Sequence, residues 1–117
     1  AGYPIIDALS DYEFYKTVRA LRPNMPIIMS SKPDFYATTF YVTSQKQNVE
    51  RRQVVIDTYE RAKAEGDKNV YFIDGKTLLK GEFHLDCTAD GTHPNDYGMY
   101  RIAKKYIAFI KKHNLLK

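Results

Sequence analysis

Apolar positions along the chain fall either into helical repeats or into short unbroken runs. Phe14, Val18 and Leu21 stand at i, i+4 and i+7 behind Ser10 and Glu13, a capping-box pair, and Pro23 stops the run, which predicts a first helix. Ser44 and Gln47 repeat the capping spacing ahead of Val49, Val55, Ile56, Tyr59 and Ala62. This predicts a long second helix with Gly66 just past its end and with Glu50-Arg51-Arg52 and Glu60-Arg61 on its wet face. A third helix follows Asn95, a good N-cap, with Met99, Ile102, Ala103, Tyr106, Ile107 and Ile110 along one side. Two short, unbroken apolar runs lie between these helices, from Pro26 to Ser30 and from Asn69 to Asp74. Unbroken runs of this kind predict parallel strands covered on both faces.

The order helix-strand-helix-strand-helix predicts an α/β fold, an open parallel sheet with helices against it. Two strands that both read as central cannot complete a core, so further strands are expected from an upstream part or from another chain. Residues 1–117 thus read as the C-terminal part of one larger domain. The segment from Ser31 to Thr43 is expected to be a loop carrying Phe35, Tyr36, Phe40 and Tyr41. These rings either pack the loop down or line one wall of a substrate cleft. Ligands of open α/β sheets bind at the carboxyl ends of the strands, and this loop leaves from one such end. So does the segment after Ile73.

Composition narrows the classes of function. The net charge of +4 comes from largely dispersed lysines and arginines, with the pairs Lys104-Lys105 and Lys111-Lys112 near a predicted helix end. Cations there favour the helix dipole, and no basic stripe with interleaved aromatics accompanies them, so no nucleic-acid partner is expected. No apolar run reaches the ~20 residues of a membrane span. Cys87 stands alone, so no internal disulfide can form and the redox compartment stays open. A first residue other than Met suggests that an upstream part, with any targeting segment, precedes Ala1.

Candidate chemistry concentrates in Asp86-Cys87-Thr88-Ala89-Asp90-Gly91-Thr92-His93-Pro94-Asn95. Asp90 stands three residues before His93, and a carboxylate at that reach can accept a ring N–H, fix the tautomer and leave the other nitrogen as a general base. Other readings of the same residues stand beside this one. Asp90 before Gly91 is a usual turn former, and His93 could close the loop by hydrogen bonds. His84, Cys87, Asp90 and His93 recur every three residues and can all ligate zinc, although no common zinc module has this spacing, so no metal is expected. A non-catalytic module whose cleft only binds a ligand also remains open. His113 reads as a solvated helix-end residue.

The block Asp90-Gly91-Thr92-His93-Pro94-Asn95, after a strand ending in Asp74 and before an amphipathic helix, resembles the last conserved block of the SGNH hydrolases, the GDSL-type lipases and esterases. The resemblance implies a flavodoxin-like three-layer α/β/α fold, present here as an incomplete C-terminal part. It implies that His93 is the general base and Asp90 its orienting carboxylate in a Ser-His-Asp triad. It implies an ester substrate such as an acylated sugar or lipid, no cofactor, and a periplasmic or secreted bacterial setting. No Gly-Asp-Ser nucleophile block and no Gly-x-Asn-Asp oxyanion block accompanies it, and Ser10, Ser30, Ser31 and Ser44 each read as caps or strand ends. The expectation is an Asp/His half of an esterase, inactive alone.

Overall fold

A computed structural model of the chain describes residues 10–116. The elements run α1 (Asp11–Leu21), β1 (Ile27–Ser30), α2 (Tyr36–Phe40), α3 (Val42–Ala64), β2 (Val70–Ile73) and α4 (Asp96–Lys112), with 3-10 turns at Gly75–Thr77 and His84–Asp86. The α/β expectation holds, and β1 and β2 pair in parallel. The four residues of β1 are half-buried and β2 is buried only at its two ends, so among the described residues neither strand is covered on both faces. By contacts the chain divides into two units, Ala1–Met29 with Gln53–Ile73 and Ser30–Arg52 with Asp74–Lys117.

In the first unit Tyr15, Ala62 and Val70 form a core against which Tyr12, Ile27, Met29 and Tyr59 pack. Ser10 caps α1 as its pattern predicts, its hydroxyl accepting the Glu13 N–H at 3.1 Å. The predicted inward face is wrong, however. Phe14 and Leu21 are exposed, while Tyr15 is buried and the Arg19 side chain is largely enclosed. The reason is Asp67, which accepts from the Tyr15 hydroxyl, from Arg19 Nε at 2.9 Å and from the Asn69 N–H at 2.8 Å. Burial alone would raise the Asp67 carboxyl, but these donors outweigh it and hold its pKa below the usual range. Polar partners thus turned α1 by about one residue from the face its apolar side chains suggested. The end of α3 follows its pattern. Gly66 takes φ +101°, and the N–H groups of Gly66 and Asp67 close onto the carbonyls of Lys63 and Ala62.

The second unit buries Phe35, Leu78, Leu79 and Cys87. The segment 31–43 is not a loop throughout, because α2 fills its middle and α3 begins at Val42, with Gln45 N–H already bonded to the Tyr41 carbonyl at 3.1 Å. Ser44 therefore lies inside the first turn of α3, and the expected Ser44/Gln47 box is not its cap. In this unit α3 turns Asn48 inward and leaves Val49 exposed, the reverse of the apolar pattern. Arg52, expected on the wet face, is half-buried and pairs with Asp74, Nη2 to Oδ2 at 2.7 Å. Asp74 also caps the following 3-10 turn through the Lys76 N–H. Gly75 can only be glycine: a Cβ there would lie 2.3 Å from the carbonyl oxygens of Ser31 and Lys32.

Helix α4 begins where predicted, with the Asn95 side chain accepting the Gly98 N–H at 2.8 Å. Its inward side carries Gly98, Arg101, Ile102, Tyr106, Phe109 and Ile110, whereas Met99, Ala103 and Ile107 of the predicted face are exposed. Arg101 explains part of this offset. It donates to the carbonyls of Lys80 at 2.8 Å and Glu82 at 2.6 Å and reaches Cys87 Sγ at 3.5 Å, so a charged residue takes an inward position. Further along the helix, the Tyr106 hydroxyl donates to Ser30 Oγ at 2.9 Å.

Candidate active site

The loop from Cys87 to Asn95 is held at its neck by backbone pairing. Ala89 N–H donates to the His93 carbonyl at 3.0 Å and Asn95 N–H to the Cys87 carbonyl at 2.9 Å, with Thr88 and Pro94 bridged antiparallel. Asn95 Nδ2 adds a bond to the Asp86 carbonyl at 2.7 Å. At the tip Gly91 takes φ +93°, a conformation glycine adopts without strain, and its N–H is received by Thr88 Oγ1 at 3.1 Å. The tip is thereby braced from both sides.

Asp90 serves the turn and the histidine at once. Its Oδ1 accepts the backbone N–H groups of Thr92 at 3.0 Å and His93 at 2.8 Å, the turn-forming role expected of Asp before Gly. Its Oδ2 lies 2.5 Å from His93 Nδ1. The two readings of Asp90 are therefore not rivals, since a carboxylate has an oxygen for each. The Thr92 N–H, then the His93 ring and backbone N–H, hold the Asp90 carboxyl far below the usual carboxylate range. An ionised Asp90 can only accept, so the proton between the two residues sits on Nδ1 and Nε2 is left as the basic nitrogen.

His93 projects outward with 78% of its side chain exposed, and among the described residues Nε2 has no hydrogen-bond partner. None of Ser10, Ser30, Ser31 and Ser44 is bonded to it: Ser10 caps α1, Ser30 pairs with Tyr106, Ser31 Oγ accepts the Gly75 N–H, and Ser44 lies within α3. Thr92, which pattern reading passed over, places its hydroxyl 3.2 Å from His93 Nδ1 and 3.3 Å from Asp90 Oδ1. Only its place inside the Asp-x-x-His block could have marked it.

The four aromatics separate. The Tyr36 ring lies beside Gly91, 3.5 Å from where a Cβ would be, and Phe40 packs on Tyr36 with centroids 4.8 Å apart. Phe35 is buried, and Tyr41 is exposed and meets no other ring among the described residues. A cleft of about 280 Å³ runs between Tyr36, Leu85, Thr88, Ala89, Asp90 and Gly91. One predicted aromatic, Tyr36, thus meets the Asp/His loop directly.

The residues of the alternative zinc reading are engaged elsewhere. His84 Nδ1–H donates to the Leu79 carbonyl at 2.9 Å and its Nε2 meets Thr39 Oγ1 at 3.1 Å, while Cys87 is fully buried with its thiol on the Phe83 carbonyl. Among the described residues no three His, Cys, Asp or Glu side chains are placed to share a metal ion. Nor is any helix among them long and apolar enough to cross a membrane.

Comparison with known proteins bears on the whole chain. Two solved structures superpose on 90% of it. One is a Bacteroides ovatus protein provisionally called a GDSL-like lipase, 31% identical with a TM-score of 0.78. The other is the salicylyl-acyltransferase SsfX3 of a tetracycline biosynthetic pathway, 22% identical with a TM-score of 0.72, a likeness of fold. The chain spans 31% of the length of each. No curated protein matches it. The model of the GDSL-like lipase/acylhydrolase family matches residues 7–111, from α1 through the Asp90–His93 loop and nearly all of α4, and the chain belongs to that family.

Proposed function

We propose that this chain supplies the base and its orienting carboxylate to a serine ester hydrolase. What supports the reading is the Asp90–His93 pair, with Oδ2 2.5 Å from Nδ1 and Nε2 turned away from the loop that holds it. In the reaction His93 Nε2 takes the proton of a serine hydroxyl as its oxygen attacks the ester carbonyl carbon. The imidazolium formed is stabilised by Asp90, and the proton is handed to the departing alkoxide. Water, activated by the same nitrogen, then releases the acid and frees the serine.

The nucleophile and the oxyanion donors come from polypeptide beyond these 117 residues, either more of the same chain or a second one, which also supplies strands to flank β1 and β2. The 117 residues alone are inactive on this reading. The substrate is an ester of a sugar or lipid, held against Tyr36 and Phe40 from the aromatic segment, of which Phe35 is buried and Tyr41 exposed. The test uses the full-length protein, a fluorophosphonate that labels activated serines, and p-nitrophenyl acetate. Labelling and turnover are both expected, with His93→Ala lowering turnover by a factor on the order of 10⁶. Turnover that survives His93→Ala unchanged defeats the reading.

A further inference from the structure

A second cavity, of about 340 Å³, adjoins the same short helix; Asp34, Thr38, Thr39, Lys76, Lys80 and His84 bound it. Helix α2 and the His84–Asp86 turn contribute to both hollows, Tyr36 and Leu85 to the cleft beside Asp90, Thr39 and His84 to this one. The two hollows therefore lie along the same two elements. The volume lies at the lower end of the range for small-molecule sites, enough for one small polar group or sugar ring.

Its lining carries surplus positive charge. Lys76 and Lys80 both line it, and among the described residues neither is in an ion pair. Asp74, whose charge Lys76 also feels, is paired with Arg52 at 2.7 Å, and Asp34, whose Oδ1 accepts from Asn48 Nδ2 at 3.1 Å, keeps its charge and offsets one of the two lysines. The hydroxyls are set as donors or struts. Thr38 Oγ1 accepts from the Phe35 N–H at 3.3 Å and from Asn48 Nδ2 at 3.2 Å, so its own proton remains to be given. Thr39 is held on His84 Nε2, and His84 is fixed in turn by the Leu79 carbonyl. Asn48, 6% exposed, ties Asp34, Thr38 and the Pro33 carbonyl together from beneath, so this wall is built rather than loose.

We propose that this cavity binds an oxyanion, a carboxylate or phosphate, carried by the ester substrate. Lys76 and Lys80 supply charge and the Thr38 hydroxyl a directed proton, while Asp34 accepts from a hydroxyl on the same ligand and repels a second anionic group. The substrate is then an ester of an acidic sugar or polyol. The inference rests on the hydrolase reading for its link to catalysis but not for binding.

The test keeps the two apart. Inorganic phosphate and glucuronate are titrated separately into full-length protein while amide shifts of Thr39, Lys76 and Gly81 are followed. Saturable shifts are expected, weakened at least about tenfold, or 1.4 kcal/mol, in Lys76→Gln/Lys80→Gln and unchanged in His93→Ala. Saturation by one probe and not the other identifies which oxyanion fits. In turnover, the double variant should lose at least about tenfold in kcat/KM on an aryl ester bearing a carboxylate and nothing on its neutral analogue. Non-saturating shifts with both probes, or a double variant that binds like the parent, overturn the proposal even if esters are hydrolysed. Saturable binding without ester hydrolysis overturns only the hydrolase reading.

Discussion

A Cβ placed on Gly98 would lie 2.2 Å from the carbonyl oxygen of Cys87. Alanine is worth about 1 kcal/mol more than glycine inside a helix, so propensity alone would make Gly98→Ala stabilising. Backbone cannot yield as a flexible side chain does, and overpacking costs typically 1–3 kcal/mol. The same carbonyl also receives the Asn95 N–H, so moving it loosens the cap of α4. Gly98→Ala is expected to destabilise by about 1–2 kcal/mol, a fall in urea midpoint at constant slope.

Asp90→Asn separates the two tasks of that side chain. The amide oxygen can still accept the Thr92 and His93 N–H groups, while the NH₂ would face Nδ1 and drive the ring proton to Nε2, where no base is then left. Turnover should fall by a factor on the order of 10⁴ with folding intact. Equal turnover in the variant would remove Asp90 from the mechanism. Since Asp90 in the parent stays ionised far below the usual carboxylate range, its titration contributes no limb to the rate profile between pH 5 and 9.

Asp74 sets an acid limit on stability. The Arg52 guanidinium, and after it the Lys76 N–H, lower its pKa against the opposing effect of burial. A lowered folded pKa contributes stability that is fully present above the unfolded value of about 3.9 and is lost as pH falls through the folded one. Arg52→Gln should therefore move the acid-unfolding midpoint to higher pH and narrow the stability gap between parent and variant below it. Circular dichroism against pH measures both.

Asn95 has two bonds to lose. Asn95→Ala removes the cap on the Gly98 N–H and the tie to the Asp86 carbonyl, and should cost about 1–2 kcal/mol. Asn95→Asp keeps the first and forfeits the second, so it should fall between. Thermal melts of the three proteins order them; a parent-like Asn95→Ala would mean that the loop neck holds without its cap.

Tyr36 shares the cleft wall with Gly91 but lies off the proton path. Tyr36→Ala should raise KM several-fold with kcat within about twofold, because it removes a contact shared by ground and transition states. A matching loss in kcat would place the ring closer to the reacting atoms.

The three long helices and the two strands were legible in the residues, while the short helix α2 was not. The Ser10 and Asn95 caps, the glycine past the end of α3 and the two short apolar strands are local signals, decided by bonds between near neighbours. Asp90 and His93 stand close in the chain too, and their juxtaposition needs little more than the turn between them.

Which way each helix faces was settled only in three dimensions. Tyr15 and Arg19 took the inside from Phe14 and Leu21 because Asp67, some fifty residues away in the chain, offered them a shared carboxylate. Arg52, by its charge a surface residue, was drawn in by Asp74, and Arg101 by the Lys80 and Glu82 carbonyls. A hydrophobic stripe predicts burial from transfer free energy alone, and that holds until a buried polar partner is present to be satisfied. Such partners are chosen by contacts across long stretches of chain. The bare residues of this protein therefore determined its local structure and its Asp-His pair, while tertiary contacts decided its inward faces, the Tyr36 wall and the lysine-lined cavity.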